Sequence, residues 1–185
     1  MHNTADEFDV VALECTDIFS KKAIDYGTAW RILRVPSLTD QIFIKAYRIR
    51  NIQVNGVKKV NEGMVPEFIG IVNYSAMALI QLEKGVAEPG RDKIPREEII
   101  SLFGEYLQKA KMLMLDKNHD YGEAWRKMRI SSLTDIILMK IMRIKEIENN
   151  NGDTLISEGL DANYYDIINY AVFALIRLLV EKEEA

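Results

Sequence analysis

Apolar residues recur at helical spacing along most of the chain. Ile99, Leu102 and Tyr106, for example, fall on one side of a helix that begins after Pro95. No segment alternates apolar and polar residues strongly enough to indicate a strand, although residues 57–60 and 154–156 could pair as short ribbons. The pattern therefore predicts an all-α fold.

The same pattern of residues occurs twice in the chain. Residues 25–31, Asp-Tyr-Gly-Thr-Ala-Trp-Arg, return as residues 120–126 with one substitution, and Ser-Leu-Thr-Asp at 37–40 returns intact at 132–135. About two dozen positions between residues 25 and 82 are identical in the second copy. A match of this length indicates an internal duplication.

Each copy is predicted to contain three helices. The first runs from about residue 6 to 24 and is opened by Thr4 with Glu7 three residues on, a capping-box pattern. The second starts at Ser37 or Ser132, where Asp40 and Asp135 are expected to serve mainly as helix-start residues. It ends near residue 55 or 151, and a connector with one short helical turn precedes it.

The third helix of each copy is apolar nearly all round, at about residues 66–84 and 162–182. Such helices are buried, so we expect them at the centre of the core. Neither copy is large enough to bury sufficient apolar surface by itself. We therefore expect one domain over residues 1–185 with pseudo-two-fold symmetry, made of repeat one (1–84), a linker (85–95) and repeat two (96–185).

A lysine lies within an apolar stripe of the second helix in both copies. Lys45 follows Ile42 and Lys140 follows Ile137 at helical spacing, and Arg48 and Arg143 come one turn later; these four cations are the predicted phosphate ligands. A buried ammonium needs a carboxylate, an anionic ligand or a path to solvent. The lysine stem could instead pack while its head reaches solvent or pairs with a structural acid.

Several acids repeat as well. Asp25 and Asp120 lead into a glycine, so a role in the turn competes with a role as ligands. Glu62 and Glu158 precede a glycine in a polar connector, which makes them better functional candidates. Asp166 has Gly70 as its counterpart, so repeat two is the better candidate for a chemically competent site.

Aromatic and amide side chains form the third group of candidates. The rings could stack a nucleobase or plug the core beside a turn. The amides lie in the most apolar helix, where they could brace the core or order a ligand-binding side chain. This group comprises Tyr26, Trp30, Tyr121, Trp125, Asn73 and Asn169.

Composition narrows the class of protein. The net charge of −4 offers no basic field for nucleic acid, so nucleic-acid binding is disfavoured. One cysteine and two histidines disfavour a zinc site built on His and Cys, and we expect no zinc, haem or flavin. The first ten residues contain no apolar run, and the stretch 69–82 is too short and polar for a bilayer span, so we expect a cytosolic protein without a membrane partner.

The motifs resemble a known family. Lys-x-x-Asp-Tyr-Gly-x-Ala-Trp, then Ser-Leu-Thr-Asp, Lys-x-x-Arg-Ile, Glu-Gly and Ile-x-Asn-Tyr, starting at Lys22 and again at Lys117, are similar to a bacterial and phage family named a nucleotide-modification-associated domain. Asp166-x-x-Asn169, with Glu158 upstream, also resembles the acidic helix of MazG-like all-α nucleoside triphosphate pyrophosphohydrolases. Those enzymes hold Mg²⁺ with a Glu-x-x-Glu pair, which the repeated motifs lack.

These observations lead to a nucleotide-handling protein, with Mg²⁺-dependent phosphohydrolysis as the leading activity. Catalysis is assigned to Glu158, Asp120 and Asp166, and Mg²⁺ to the same three with Glu62 and Asp25. The ligand-binding candidates are Lys140, Arg143, Arg129, Trp125, Tyr121 and Asn169, with Lys45, Arg48, Arg34, Trp30, Tyr26 and Asn73 in repeat one. The alternative is a non-catalytic helical module with a buried ion-pair network, at the pseudo-dyad or in a homodimer.

Overall fold

The computed structural model describes residues 3–56 and 63–182. Repeat one contains α1 (Thr4–Tyr26), a 3₁₀ turn (Ala29–Ile32), α2 (Val35–Asn55) and α3 (Met64–Lys84). Repeat two contains α4 (Arg96–Tyr121), a 3₁₀ turn (Ala124–Lys127), α5 (Ile130–Asn149), α6 (Leu160–Leu175) and a π-helical segment (Ile176–Val180). The described residues contain no strand, and the all-α prediction is confirmed. Residues 154–156 form no strand, and residues 57–60 lie outside the described part.

The helix starts differ from the sequence prediction. The N-cap of α1 is Asn3, whose side-chain oxygen accepts a hydrogen bond from the Ala5 backbone N–H at 3.0 Å. Thr4 is the first helical residue, and its hydroxyl donates to Glu123 in repeat two. The predicted capping role of Thr4 is therefore wrong, because the neighbouring asparagine supplies the cap.

The second helices begin earlier than Ser37 and Ser132. α2 starts at Val35 and α5 at Ile130, with Arg34 and Arg129 at the N-cap positions and no side-chain cap. Pro36 is compatible with this first turn because a proline there removes a backbone N–H that would have no helical partner. Asp40 and Asp135 consequently lie inside the helices, and their predicted role as helix-start residues is wrong.

The third helices are the most buried elements, as the sequence predicts. Phe68, Ile71 and Ile80 of α3 and Ile167 and Leu175 of α6 are fully buried. α3 is long and apolar enough to cross a bilayer, and most of that apolar stretch is buried. Residues of both repeats form one hydrophobic core, in which α3 packs against α6.

Reciprocal contacts relate the two repeats. The Thr39 hydroxyl donates to Glu148 at 2.7 Å, and the equivalent Thr134 hydroxyl accepts from Gln53 at 3.1 Å. α2 and α5 therefore meet at a pseudo-two-fold axis, and α1 packs against α4 in the same way.

Candidate functional site

Two lysines of repeat two converge on one carboxylate. Lys117 Nζ on α4 and Lys140 Nζ on α5 each lie 2.6 Å from a different carboxylate oxygen of Asp166 on α6. The Asp166 and Lys140 side chains are mostly buried, whereas that of Lys117 is 56% exposed. We call these three residues the triad, and two ammonium groups with one carboxylate give it a net positive charge.

The triad holds the pKa of Asp166 below its ordinary value. Burial by itself would raise this pKa, but the hydrogen bonds from Lys117 and Lys140 outweigh burial. Burial would likewise lower the pKa of Lys117, but Asp166 and the nearby charge of Glu158 keep it raised. Asp166 and Lys117 are therefore both charged at neutral pH.

Repeat one has a different arrangement around its equivalent lysine. Lys45 Nζ lies 3.5 Å from Glu67, and Arg48 also bonds that carboxylate. Gly70 stands where repeat two has Asp166, and a Cβ added there would lie 2.6 Å from Lys45 Cδ. The Lys45 side chain thus occupies space that the Asp166 side chain takes in repeat two.

A groove of about 640 Å³ borders the triad and is called groove two. Its lining residues are Met114, Asp116, Lys117, Asn118, Asp120, Tyr121, Ala124, Trp125, Met128, Asp166, Asn169, Tyr170 and Phe173. Trp125 stacks on Phe173 with ring centroids 4.2 Å apart, and the Arg126 guanidinium lies 4.4 Å from the Trp125 centroid. These two groups are too close to share one face of the indole, so neither face is open to a base.

Two buried polar atoms in the lining of groove two have no hydrogen-bond partner among the described residues. They are Trp125 Nε1, a donor, and Asn169 Oδ1, an acceptor. The Asn169 amide nitrogen donates to the Ala110 carbonyl at 3.1 Å, and Asn73 makes the equivalent bond to the Cys15 carbonyl at 3.3 Å. Each asparagine thus braces the third helix against the first helix of its repeat. Such unpaired buried atoms are uncommon and can serve a ligand.

A second cavity, of about 740 Å³, follows α5 and is called the α5 cleft. It is lined by Met139, Lys140, Met142, Arg143, Glu146, Ile147, Asn150, Asp153, Thr154, Leu155, Ile156, Ser157, Glu158 and Asn163. Lys140, Arg143 and Glu158 therefore share one concavity. Asp120 lines groove two instead, and the ion pair between Lys140 and Asp166 joins the two cavities.

The equivalent of groove two in repeat one is groove one, with a volume of about 310 Å³. It is lined by Phe19, Lys22, Ala23, Tyr26, Gly27, Ala29, Trp30, Leu33, Tyr74 and Met77. Lys45 and Arg48 on α2 both bond Glu67 on α3. Lys45 Nζ also lies 5.8 Å from the Tyr74 ring centroid. The aromatic candidates Tyr26 and Trp30 are thus brought together.

The remaining candidates are dispersed. Arg34 and Arg129 are exposed at the N-caps of α2 and α5, and Asp25 is exposed in the last turn of α1. Glu62 lies outside the described residues. Within residues 3–56 and 63–182, no three His, Cys, Asp or Glu side chains are grouped as metal ligands. The predicted set Glu158, Asp166 and Asp120 is therefore not assembled around one point.

Comparison with known families assigns both repeats to one family. Residues 22–82 and 117–178 match the family described as nucleotide modification associated domain 1, and together they cover more than half of the chain. The chain belongs to this family. A comparison with curated proteins found no match, and a comparison with solved structures found none. The two matched segments start at Lys22 and Lys117, the lysines of grooves one and two.

Several residues at these nucleotide-modification-associated repeats escape the sequence prediction. Lys22 and Lys117 belong to the repeated motif, so repetition could have identified them. Glu67 has Asn163 as its counterpart, so the repeat gives no signal for it. Arg126, which binds Glu7 and Glu123, joins the two repeats and therefore has a structural role.

Proposed function

We propose that the protein binds a nucleotide at repeat two, with the base in groove two and the phosphates at Lys117, Lys140 and Arg143. The main support is the convergence of Lys117 and Lys140 on Asp166, where groove two meets the α5 cleft. The net positive charge of the triad attracts an anion. Arg143 lies one turn beyond Lys140 in the cleft, where a second phosphate would reach it.

The proposed base site uses the edge of Trp125 rather than its face. Trp125 Nε1 and Asn169 Oδ1 provide one donor and one acceptor that lack partners in the described part of the chain. Tyr121, whose side chain is 73% exposed, offers an open ring for stacking. A site with buried polar groups discriminates strongly against ligands that leave those groups unpaired. Base identity should therefore alter affinity.

Mg²⁺-dependent hydrolysis stays a prediction. Both Asp166 oxygens accept hydrogen bonds from lysines, and Asp120 Oδ1 lies 3.3 Å from His119 Nδ1. Of the three acids of repeat two that are assigned to Mg²⁺, Glu158 lines the α5 cleft, whereas Asp120 and Asp166 line groove two. A single Mg²⁺ held by all three of these acids would need carboxylates from both cavities. We therefore propose nucleotide binding alone, and its test is carried out with and without Mg²⁺.

The test is a thermal-shift screen with nucleoside mono-, di- and triphosphates, with and without Mg²⁺. A ligand at 100 times its Kd stabilises a protein by about 2.7 kcal/mol, so specific binding should raise the Tm clearly. Lys117→Met should reduce the shift, because it removes a phosphate ligand of groove two. Lys111→Met is the matched control, because Lys111 lies on the same helix and pairs with Asp9 at 2.7 Å outside the groove. No shift with any nucleotide, or one unaffected by Lys117→Met, contradicts the proposal.

A second candidate function is a helical module in which the ion pairs are structural. It is favoured by the occupation of both Asp166 oxygens by lysines and by the contacts of Lys45 and Arg48 with Glu67. These pairs lie within each repeat rather than at the pseudo-dyad. Under this alternative, loss of Lys117 or Lys140 changes stability alone, since there is no nucleotide response to lose.

A further inference from the structure

Groove one keeps the aromatic frame of groove two but differs in charge. Among the described residues, its lining contains one cation, Lys22, and no carboxylate. The lining of groove two contains Lys117 together with the carboxylates of Asp116, Asp120 and Asp166. The charge of Lys22 is therefore not offset by a neighbouring carboxylate of its groove, whereas that of Lys117 is partly offset by Asp166.

The cause of the difference lies in α3. Gly70 supplies no carboxylate to Lys22, whereas the equivalent Asp166 bonds Lys117. Lys22 is exposed, and it has no ion pair or hydrogen bond among the described residues. Its ammonium is thus available to an anion without first breaking a contact.

The aromatic wall is also more open in groove one. Trp30 is half-buried, and its nearest ring partner, Phe19, meets it edge-on with centroids 6.3 Å apart. Phe19 in turn stacks on Phe103 of repeat two with ring centroids 4.1 Å apart, and this contact holds the Phe19 ring in its position in the groove. The face of Trp30 is not covered by a stacked ring, in contrast to that of Trp125. The Arg31 guanidinium lies 5.8 Å from the Trp30 centroid, so a planar base can stack on the face of the indole that this group leaves open.

The size of the groove limits the ligand. About 310 Å³ is half the volume of groove two and lies at the lower end for small-molecule sites, roughly 300–1,000 Å³. A single phosphate beside one lysine, joined to one stacked base, matches these dimensions and this charge. A triphosphate would extend beyond the one available cation.

We propose that groove one is a second ligand site, selective for a nucleoside monophosphate whose base stacks on Trp30 and whose phosphate binds Lys22. The inference extends the proposed nucleotide binding of repeat two to a site of different ligand preference. Because Phe19 of groove one stacks on Phe103 of repeat two, a ligand in groove one would lie beside a contact between the two repeats. The separate sites should give two binding events per chain.

The two tryptophans of the chain allow each groove to be observed by itself. In the full-length Trp125→Phe variant, Trp30 is the fluorophore and reports groove one. In Trp30→Phe, Trp125 reports groove two. Each variant is titrated with AMP and dTMP, with adenosine and thymidine as probes without phosphate, and with inorganic phosphate.

We expect AMP or dTMP to change Trp30 fluorescence, and the nucleosides to bind at least about tenfold more weakly, which corresponds to about 1.4 kcal/mol. Adding Lys22→Met should weaken monophosphate binding to the level of the nucleoside. Gly70→Asp should have the same effect, because its carboxylate would pair with Lys22 as Asp166 does with Lys117; Lys45 must move for it to fit. If Gly70→Asp does not fold, Lys22→Met still tests the phosphate site, because Lys22 is exposed and its substitution leaves the core unchanged.

Other outcomes separate this inference from the proposed function. If Trp125 responds to nucleotides in Trp30→Phe but Trp30 does not respond in Trp125→Phe, groove two binds and the second site is wrong. Equal binding of nucleoside and monophosphate at Trp30, or no effect of Lys22→Met, also overturns the assignment. A response of Trp30 without one of Trp125 supports groove one and contradicts the proposal for repeat two.

Discussion

In both repeats a lysine on the second helix pairs with a carboxylate on the third, but the carboxylate comes from different positions. Lys140 pairs with Asp166, whereas Lys45 pairs with Glu67, whose counterpart in repeat two is Asn163. The two acids are thus nearly one helical turn apart on equivalent helices. The lysine is constant and its partner has shifted, so a structural need for a carboxylate persists in each copy.

The shifted acid has a consequence for the groove beside it. Asp166 reaches Lys117 as well as Lys140, so the groove-two lysine is engaged. Glu67 bonds Lys45 and Arg48, and Lys22 is left exposed. An acid moved by one helical turn therefore keeps the pairing between the helices and changes the charge offered to a ligand.

The largest expected effect on stability is that of Asp166→Asn. The substitution leaves two ammonium groups without their charged partner, and Lys140 is mostly buried. We expect the free energy of unfolding to fall by about 2–3 kcal/mol, less than the roughly 3–5 of a fully buried pair because Lys117 reaches solvent. Urea denaturation measures it. A loss below about 0.5 kcal/mol would show that the triad is not a stabilising contact.

The pH dependence gives an independent check of the same residue. The lysines hold the folded pKa of Asp166 below its unfolded value of about 3.9. Its contribution is therefore present above the unfolded pKa and lost as pH falls through the lower folded pKa. The difference in stability between wild type and Asp166→Asn should shrink in acid. A difference that is constant with pH contradicts this assignment.

Lys140→Met should have a smaller effect. The substitution keeps the apolar stem in the seam of α5, and Lys117 still bonds the Asp166 carboxylate. We expect a loss of about 1–2 kcal/mol, below that of a buried acid left wholly unpaired. Lys45→Met is the matched variant, since Glu67 retains Arg48. The Tm of both variants, measured with and without nucleotide, distinguishes nucleotide binding from a purely structural role of the ion pairs.

Under the proposed function, Lys140→Met removes the nucleotide-induced stabilisation that comes from repeat two, while Lys45→Met retains it. If wild type shows no nucleotide response and both variants lose similar stability, the ion pairs are structural. The result then favours the non-catalytic module.

The sequence predicts the helices and the placement of the lysines well, because both depend on residue spacing along one helix. Lys45 and Lys140 lie in apolar seams as predicted, since a helix of regular pitch fixes which residues share a side. Of the two acids that pair with these lysines, Asp166 is among the candidates from the sequence and Glu67 is not. A repeat reveals residues that recur, whereas Glu67 and Asp166 each occur in one copy.

The positions across the pseudo-dyad could not be derived from spacing. Asp40 and Asp135 fit a helix-start pattern, yet each forms an ion pair with the opposite repeat, to Lys145 and Arg50. These contacts depend on how α2 and α5 pack, which the periodicity of one helix does not determine. The assembly of Trp125, Asn169 and Lys117 into one groove likewise depends on tertiary packing.

A difference between the repeats at the dyad predicts a gain in stability from Glu148→Gln. Glu148 accepts from Thr39 at 2.7 Å, and the equivalent residue in repeat one is Gln53, which donates to Thr134. Burial raises the pKa of Glu148, and the nearby charge of Asp40 raises it further. The hydrogen bonds from Thr39 and Tyr164 lower this pKa but do not offset the increase. The contribution of the acid is therefore present below its unfolded pKa and lost as pH rises through the folded pKa.

Glu148→Gln removes that loss, so the variant should be more stable than wild type at neutral pH and should lose the advantage in acid. Because the carboxylate is only partly buried, solvent screening keeps the gain below about 1 kcal/mol. Denaturation at neutral and acidic pH measures it. Gln53→Glu is the matched reverse change and should destabilise repeat one at neutral pH. A less stable Glu148→Gln protein at neutral pH would contradict the assigned sign.

The smallest expected effect concerns the exposed ion pairs across the dyad. Lys145 bonds Asp40, whereas the equivalent Arg50 and Asp135 are 3.9 Å apart with both side chains more than half exposed. Exposed pairs contribute roughly 0.2–1 kcal/mol, and salt weakens them. A double-mutant cycle with Asp40→Asn and Lys145→Met should give a coupling of about 0.5 kcal/mol that falls as salt is added. The cycle with Asp135→Asn and Arg50→Met should give a coupling near zero, because that contact is longer and more hydrated. Equal couplings in the two cycles would contradict this difference, since the longer Arg50–Asp135 contact would then stabilise the fold as much as the Lys145–Asp40 pair does.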